Sequence, residues 1–385
     1  MQHIEKQFLT TEQIDTLLRT CFNMSDQDKS IVILVDVPDE KLPDSVDWQF
    51  RRKFALQWYE QLSQFYGSQK RVKIYYYPNV GANNGDLPTE IYIYTGNSAD
   101  LNSASLIKKG GCHTVEEILE SANIVIAMTQ LSATAPLKIL GRKHNFRGAT
   151  MPNFTQPMIP ALALDYQKVN KRVMHIKERL DKSISVEYNF STNNADYQFL
   201  ADTRNRLAHA SSGLMHNAKE VGNLPSGESY IVPYEGEIEG NPSLSRGIIP
   251  VQFNEEIVLY KIEQNRACEI LSDGEISTKE RKMLIDEPAY GNIAELGFGV
   301  LDVFGVKPVG SILLDEKLGV HIAFGRSEHF GGIISPASFK KQENVIHIDR
   351  VYIPDCQRDI RVRSVIFTYE DGSTEQVLAD DKYLF

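Results

Sequence analysis

The stretch Ser30-Ile31-Val32-Ile33-Leu34-Val35-Asp36-Val37 decides the fold class of the 385-residue chain. It is a nearly continuous apolar run of strand length, and Pro38 follows directly after it. An apolar run of this length that ends at a proline is typical of a buried β-strand. The segments on either side of it have helical patterns, which indicates that strands and helices alternate in this part of the chain.

The helical and strand patterns around this run predict an open α/β domain. Leu9–Phe22 is predicted as a helix, with Thr10 or Thr11 as its N-cap and Gln13 in capping-box position. A second helix is predicted to begin at Asp47, with its large apolar side chains on one face. The remaining elements are the strands Arg71–Tyr77, Ile91–Thr95 and Asn123–Thr129 and a helix that includes His113–Leu119. This alternation predicts an N-terminal open α/β domain over residues 1–145.

The texture of the sequence changes in its second half. Gly141–Gly148 is rich in basic residues, and we predict that it connects two domains. A long helix is then predicted from Pro160 to about Ser183. From Ser185 onward, short strand patterns alternate with Gly, Asn and Pro turns, which predicts a C-terminal α+β domain over residues 146–385. The predicted fold class is therefore α/β, with the metal site described below in the second domain, and the chain length also favours two domains.

The composition excludes several classes of partner. The net charge is −10 without a basic tract, which argues against binding to nucleic acid. The longest apolar runs have strand length, so no membrane span is expected. Residues 1–6 lack the pattern of an export signal, so we expect a cytoplasmic protein. Widely spaced cysteines without a CxxC pair are predicted to be reduced, mostly buried thiols that hold no zinc: Cys21, Cys112, Cys268 and Cys356.

Two histidines in apolar strand patterns are candidate metal ligands. In His347-Ile348-Asp349 the imidazole and the carboxylate are two positions apart, so they project from the same face of a strand. Such a pair by itself is more often a structural hydrogen-bonded pair than a metal site. His321 lies in a second apolar run that glycine ends, and a lone histidine there is more often a core residue. Two histidines in such runs together favour a metal site.

Two glutamates complete the candidate set. Glu295 is an isolated acid among apolar and small residues in Asn292–Gly299, where a carboxylate is costly unless it is paired or bound to a metal. Glu228 follows a turn that contains Pro225 and Gly227, a position where a glutamate is usually only exposed. Three carboxylates and two imidazoles suit a pair of divalent cations with one bridging carboxylate. Hydrolysis by activated water is the reaction that such a site predicts.

Several blocks of this half of the chain resemble one family of metalloenzymes. The blocks, in order, are Gly222–Glu228, Asn292–Gly297, Asp315–Lys317, His321–Gly325 and His347–Asp349, with further similarity at Ile124–Pro136 and Met151–Phe154. In content, order and spacing they resemble the aminopeptidase T family of leucyl-type metalloaminopeptidases. The resemblance covers residues 120 to 352 and is weak before them.

This resemblance implies a fold, a reaction and a set of ligands. It implies an N-terminal α/β domain, a homodimer, and two divalent ions such as zinc, cobalt or manganese. It also implies removal of the N-terminal residue from a small peptide or a peptide-like metabolite. By motif, the metal ligands are Glu228, Glu295, His321, His347 and Asp349. Glu295 is implied to bridge the ions and to belong to the catalytic residues.

The chain departs from the family pattern at one position. The family has a tyrosine seven residues after the first histidine, and Glu328 stands there in this chain. Glu328 and its neighbour His329 are therefore candidate catalytic residues, as a sixth ligand or a proton shuttle, and the alternative is that both face solvent. Arg326 either pairs with a carboxylate of the substrate or forms a structural salt bridge. Lys317 is predicted to lie on a turn rather than in the site.

Two other functions remain open at this stage. The chain also resembles a member of the same superfamily, a non-haem iron dioxygenase that opens 2,5-dihydroxypyridine rings. That enzyme uses two histidines and one carboxylate on a single iron. His347 and Asp349 fit two of those places, but Glu295 stands where the dioxygenase has a histidine. The missing tyrosine also leaves open a peptidase-like protein that binds a peptide or small molecule without turnover. Metal content separates the first two functions, and a peptidase panel tests the third.

Overall fold

A computed structural model describes residues 8–96 and 101–385. The prediction for residues 1–6 lies outside the described residues. The chain divides into two compact units. The first contains the described residues up to Asn170 together with Ser211–Ser226, and the second contains Lys171–Ala210 and Gly227–Phe385. The boundary predicted after residue 145 falls inside the first unit, because strands on both sides of it belong to the same sheet.

The elements are numbered in chain order. The α-helices are α1 Thr11–Phe22, α2 Val46–Tyr66, α3 Ala104–Ile107, α4 Val115–Glu120, α5 Thr134–His144, α6 Ile159–Leu162, α7 Tyr166–Leu180, α8 Glu275–Asp286 and α9 Ile312–Asp315. The strands of the first unit are β1 Ser30–Val37, β2 Arg71–Pro78, β3 Glu90–Tyr92, β4 Cys112–Thr114, β5 Ile124–Ala127, β6 Arg147–Thr150 and, after three strands of the second unit, β10 Val221–Asn223. The strands of the second unit are β7 Ser183–Thr192, β8 Asp196–Asp202, β9 His209–Ser211 (whose last residue belongs to the first unit), β11 Glu228–Ile231, β12 Arg246–Phe253, β13 Glu256–Glu263, β14 Arg266–Ile270, β15 Ile293–Gly299, β16 Val320–Gly325, β17 His347–Val351, β18 Ile360–Tyr369, β19 Thr374–Ala379 and β20 Lys382–Tyr383.

The first unit is built around a sheet of seven strands in the order β10-β6-β5-β1-β2-β3-β4. Strand β1 pairs in parallel with β2 and β5, and β6 continues the parallel part from β5. All eight residues of β1 are buried, as the apolar run at 30–37 predicts for a central strand. Parallel strands alternating with helices confirm the predicted α/β class.

The predicted start of the first helix is confirmed by its hydrogen bonds. Helix α1 begins after Thr10, whose hydroxyl accepts from the backbone N–H of Gln13 at 3.3 Å. The Gln13 side chain in turn accepts from the Thr10 backbone N–H at 2.9 Å. This is the predicted capping box, and it satisfies two N–H groups that a helix start leaves free.

Two predictions for the middle of the chain are wrong. Gly141–Gly148 is not a connection, because Gly141 lies in α5 and Gly148 in β6. A Cβ on Gly141 would come within 2.9 Å of the Val221 side chain, so this glycine serves close packing of the helix on the sheet. The predicted helix from Pro160 to Ser183 is divided into α6 and α7 and ends at Leu180, since β7 already begins at Ser183.

The cysteine prediction is also wrong in part. All four cysteines are free thiols, but only Cys21 is buried, and Cys112, Cys268 and Cys356 are exposed. Their spacing along the chain carries no information about exposure, which depends on the face of the element on which each lies. In the described part of the chain, no helix combines the length and the apolar character needed to cross a bilayer.

The second unit contains two sheets. One has eight strands in the order β14-β13-β12-β8-β7-β18-β19-β20, and the other has five in the order β17-β16-β15-β11-β9. On the back face of the five-stranded sheet, aromatic side chains contact residues of the larger sheet. The ring centroids of Phe298 and Phe367 are 5.6 Å apart, and those of Phe324 and Tyr260 are 5.1 Å apart. These contacts bury the back face and leave the opposite face to the polar residues described next.

Candidate metal centre

The candidate ligands lie on one face of the five-stranded sheet. In antiparallel strands, residues directly opposite each other share a face. Glu295 is opposite Ala323, and Ala323 is opposite Asp349. His321 lies two residues before Ala323 and His347 two residues before Asp349, so the alternation of strand side chains puts both on this face as well. Leu296 and Ile322 point to the opposite, buried face.

Glu228 lies on the same face of the sheet, on a fourth strand. It begins β11 and is opposite Gly299, which lies four residues after Glu295 on β15. Between these two positions, Gly297 is opposite both Tyr230 and His321. A Cβ on Gly297 would come within 1.8 Å of the His321 Nε2 atom. The His321 ring therefore lies across the space that this glycine leaves free.

Two groups of ligand atoms share one residue. Glu228, Glu295 and His321 form the first group, and Glu295, His347 and Asp349 form the second, each with its atoms within 4.8 Å of one another. Glu295 Oε1 lies 3.4 Å from His321 Nε2, and its Oε2 lies 3.2 Å from His347 Nε2. The carboxylate of Glu295 thus faces one histidine with each oxygen, which is the arrangement expected of a bridging ligand.

The remaining distances complete each group. His321 Nε2 lies 3.6 Å from Glu228 Oε2, and His347 Nε2 lies 3.6 Å from Asp349 Oδ1. All five predicted ligand residues are therefore brought together, although they are spread over about 120 positions of the chain. Their service as metal ligands stays a prediction.

Lys317 does not lie where the sequence predicts it. It does not lie on an exposed turn, because it is buried in a short 3₁₀ segment, Glu316–Leu318, beside the site. Its Nζ donates to Glu228 Oε1 at 2.5 Å and also to Glu316 Oε1. The sequence signal was present in the Asp315–Lys317 block, but a lysine that follows two acids is far more often solvated than buried.

The electrostatics of the cluster follow from burial and mutual pairing. Burial raises the pKa of Glu228, with Lys317 and His321 opposing the shift. Burial also raises the pKa of Glu316, to about 8, with Lys317 opposing the shift and the Glu228 carboxylate adding to it. For Lys317, burial alone would lower the pKa, but the carboxylates of Glu228 and Glu316 outweigh it and raise the pKa. The lysine is therefore charged.

The histidines compensate for the acids. Burial works against the charged form of His321, yet Glu295 and Glu228 raise its pKa to about 9. The pKa of His347 is also raised, because its hydrogen bonds to Asp349 and Glu295 outweigh the effect of burial. Burial would raise the pKa of Glu295, but the two imidazoles lower it below its usual range. With neutral imidazoles, the carboxyl groups of the cluster would face a single ammonium group, and divalent cations would supply the missing positive charge.

Unpaired buried atoms agree with this donor set. Glu228 Oε2 is buried without a hydrogen-bond partner among the described residues, and it faces His321. His347 is oriented by its second nitrogen, because Nδ1 lies 2.8 Å from the Arg326 carbonyl oxygen and donates to it. Such an outer hydrogen bond directs Nε2 toward a metal. The residues present therefore fit divalent ions.

Glu328 and His329 lie outside both ligand groups. The Glu328 carboxylate pairs with the Arg326 guanidinium, with Nε donating to Oε2 at 3.2 Å. Burial by itself raises the pKa of Glu328, but this ion pair outweighs it, so the pKa is lowered. His329 contacts the site by its ring, whose centroid is 5.1 Å from that of His347. Burial and the neighbouring His347 lower the pKa of His329 to about 4. Arg326 accordingly makes the structural ion pair that the sequence left as one of two alternatives.

Two aromatic residues near the site were missed by the sequence analysis. Tyr230 projects from the ligand face, opposite Gly297. Phe330 lies in the 3₁₀ segment Glu328–Phe330, and its ring is 5.4 Å from that of His347. Tyr230 carried a signal, since it stands two residues after Glu228 in a region of predicted short strands, where residues two apart share a face. Phe330 carried none, because a loop has no periodicity from which its direction follows.

Comparison with known proteins gives likeness of fold. No protein-family model matches the chain, and no curated protein matches it. Among solved structures, the 2,5-dihydroxypyridine dioxygenase from Pseudomonas putida KT2440 is similar with a TM-score of 0.61 and 14% identity, over 97% of this chain and 96% of that one. Wild-type AmpT from Thermus thermophilus is similar with a TM-score of 0.55 and 12% identity, over 97% and 98% of the two chains. At these identities the likeness shows the fold alone.

Proposed function

We propose that the chain is a metal-dependent hydrolase of the aminopeptidase type, which removes the N-terminal residue from a small peptide or a peptide-like metabolite. The observation that carries this proposal is the shared position of Glu295 in two groups of ligand atoms. Two adjacent groups that share a carboxylate suit a pair of divalent ions, with zinc, cobalt and manganese as candidates. The likeness in fold to AmpT supports the same class of enzyme.

The chain's own residues have distinct roles in this proposal. Divalent ions, when bound, supply Lewis acidity toward a carbonyl oxygen and toward water. Glu295 holds both positions together, while His321 with Glu228 and His347 with Asp349 complete them. Lys317 engages Glu228 Oε1 and leaves Oε2 available as a ligand. The Arg326 carbonyl fixes the ring of His347.

Metal analysis tests the ligand set. We expect wild-type protein loaded with zinc, cobalt or manganese to retain two ions per chain after gel filtration. Glu295→Gln removes the charge that both positions share, so we expect its content to fall to one ion or fewer. His347→Ala is expected to lose the ion of the second group. Unchanged content in both variants would show that these residues are not ligands.

A matched control separates loss of a ligand from a general loss of charge. Glu328→Gln removes another acid of the same unit that lies outside both ligand groups and pairs with Arg326. We expect it to retain both ions. The same proteins are then assayed with a panel of amino-acid p-nitroanilides and short peptides. Metal retention without cleavage of any member would favour a binding protein and reject the peptidase activity.

A ring-cleaving dioxygenase is the second candidate. It is favoured by the likeness in fold to the 2,5-dihydroxypyridine dioxygenase, which has the higher TM-score of the two comparisons. Two histidines and one carboxylate on a single iron would leave positions free for substrate and dioxygen. One iron per chain, with oxygen consumption in the presence of 2,5-dihydroxypyridine, would support this candidate. Two zinc, cobalt or manganese ions with peptide cleavage would reject it.

A further inference from the structure

An aromatic side chain covers the ligand face from the loop between β16 and β17. The ring centroid of Phe330 is 4.8 Å from that of Tyr230 and 5.4 Å from that of His347. Tyr230 belongs to β11 and His347 to β17, and β15 and β16 lie between these strands. Three strand spacings amount to roughly 14 Å. A ring that contacts both side chains must therefore lie over the part of the face between them, which carries the ligands.

The backbone beside Phe330 is held in place by two hydrogen bonds. His209 Nε2 lies 2.9 Å from the Phe330 carbonyl oxygen, and Arg206 Nη1 donates to the Gly331 carbonyl oxygen at 3.1 Å. The ring of His209 also stacks on Tyr230, with centroids 5.1 Å apart and planes 22° apart. The three rings thus form one connected surface, called here the aromatic wall: His209, Tyr230 and Phe330.

The aromatic wall has properties that suit a ligand. Tyr230 and Phe330 are both half-buried, so part of each ring stays free for contact. The Tyr230 hydroxyl makes no hydrogen bond to any of the described residues, which leaves a donor beside the ligand face. Tyrosine and phenylalanine lose little side-chain entropy on binding and favour stacked or edge-to-face contact with another ring.

We propose that Phe330 and Tyr230 bind a flat apolar group of the substrate, so that the centre prefers substrates with an aromatic group next to the reacting bond. This inference rests on the proposed metal centre, because the wall selects what the centre acts on. In an aminopeptidase the aromatic group is the side chain of the N-terminal residue. Phe330 and Tyr230 are accordingly specificity-determining residues.

The test compares two hydroxamates that share a metal-binding group and differ in the side chain. Zinc-loaded protein is titrated calorimetrically with L-phenylalanine hydroxamate and with glycine hydroxamate. We expect wild type to bind L-phenylalanine hydroxamate at least tenfold more tightly than glycine hydroxamate. Phe330→Ala should weaken the binding of L-phenylalanine hydroxamate about tenfold, since losing part of the buried aromatic area costs a free energy that corresponds to this factor. Binding of glycine hydroxamate should stay within twofold. Equal affinity of wild type for both, or equal weakening of both, would overturn the proposal.

Matched variants separate the effect of losing the aromatic ring from a general effect on folding. Phe65→Ala removes a phenylalanine that is 50% exposed in the first unit and should change neither affinity. Tyr230→Phe keeps the ring and should keep the preference, whereas Tyr230→Ala should reduce it. A preference that persists in both Tyr230→Ala and Phe330→Ala would overturn the proposal.

Zinc content is measured in every sample, so the two proposals fail separately. If wild type retains none of zinc, cobalt and manganese, the proposed function fails. The wall is then tested on the metal-free protein with L-phenylalaninamide against L-alaninamide. Tighter binding of the first, lost in Phe330→Ala, would support the aromatic wall without the metal centre. Equal or absent binding of both amides would overturn it.

Discussion

At the scale of single residues, Gly297 shows how an absent side chain shapes the site. Strand β15 carries Glu295 and Gly297 on the same face, and the His321 ring lies directly across the glycine. His321 Nδ1 has no hydrogen-bond partner among the described residues, unlike Nδ1 of His347. The position of the His321 ring therefore depends on packing against Gly297 rather than on an outer hydrogen bond.

Gly297→Ala is expected to weaken metal binding while every ligand is retained. The new Cβ would occupy the place of the His321 Nε2 and Cε1 atoms, so the ring must move away from Glu295. We expect an affinity for zinc at least tenfold lower, in the range found when outer partners of metal ligands are removed. Competition with a chromophoric chelator measures it. Gly111→Ala is the control, because a Cβ there meets no atom closer than 3.9 Å. An unchanged affinity in Gly297→Ala would contradict this account.

Asp36, at the end of β1, gives the first unit a defined pH dependence. Burial raises its pKa to about 6, although the N–H groups of Gln130 and Leu131 and the indole of Trp48 stabilise the charge. The folded protein therefore binds a proton more tightly than the unfolded chain. The free energy of unfolding then falls as pH rises from about 4 through 6, and it levels off above that range.

Asp36→Asn should remove this pH dependence. We expect the difference in unfolding free energy between wild type and variant to fall by about 2 kcal/mol from pH 4.5 to pH 7, in favour of the variant. Urea unfolding followed by tryptophan fluorescence measures it, since both tryptophans, Trp48 and Trp58, are in the first unit. Glu40→Gln, at an exposed acid close by, is the control. A difference that does not change with pH would refute the effect.

At the scale of elements, the segment that precedes β17 is held by one buried acid. Glu287 is fully buried after α8, and its carboxylate accepts from the backbone N–H of Lys340 at 2.9 and 2.8 Å. It also accepts from the N–H of Lys341 at 3.3 Å and the Asn344 side chain at 3.4 Å. These bonds fix the loop from which His347 begins its strand.

Glu287→Ala is expected to loosen this loop. Loss of hydrogen bonds to a charged acceptor should lower the free energy of unfolding by about 2 kcal/mol. Amide hydrogen exchange at Lys340 and Lys341 should become faster, and zinc affinity should fall because His347 is less well fixed. Glu343→Ala, an exposed acid in the same loop, should change none of these quantities. Equal exchange rates in the two variants would contradict the role of Glu287.

At the scale of the whole molecule, all five candidate ligands belong to one unit. Glu228, Glu295, His321, His347 and Asp349 lie in the second unit, whereas both tryptophans lie in the first. An ion that binds only the folded second unit stabilises that unit by mass action, by about 2.7 kcal/mol at a hundred times its dissociation constant.

Zinc should therefore act on one unfolding transition. We expect calorimetry to show that zinc raises, and a chelator lowers, the temperature of a transition that tryptophan fluorescence does not report. Glu295→Gln should reduce the shift while it leaves the tryptophan transition unchanged. A zinc-dependent shift confined to the tryptophan transition would contradict the location of the centre.

The sequence alone predicted those features that depend on neighbouring residues. The run at 30–37 indicated a buried strand, Thr10 and Gln13 indicated a capping box, and the spacing of His347 and Asp349 indicated a shared face. Each rests on strand alternation or on a bond between residues a few positions apart. The resemblance of its motif blocks to a known family named the same five side chains that the structure brings together.

Only the tertiary structure decided which distant groups are in contact and which residues are buried. Lys317 was predicted on a turn, but it is buried against Glu228, because a carboxylate 89 positions away compensates its charge. Gly141–Gly148 was predicted as a connection, but Val221 packs on it from a strand that follows much later. Phe330 reaches the ligand face through a loop held by His209 and Arg206. Burial and long-range contact are properties of the folded chain, so local sequence periodicity cannot specify them.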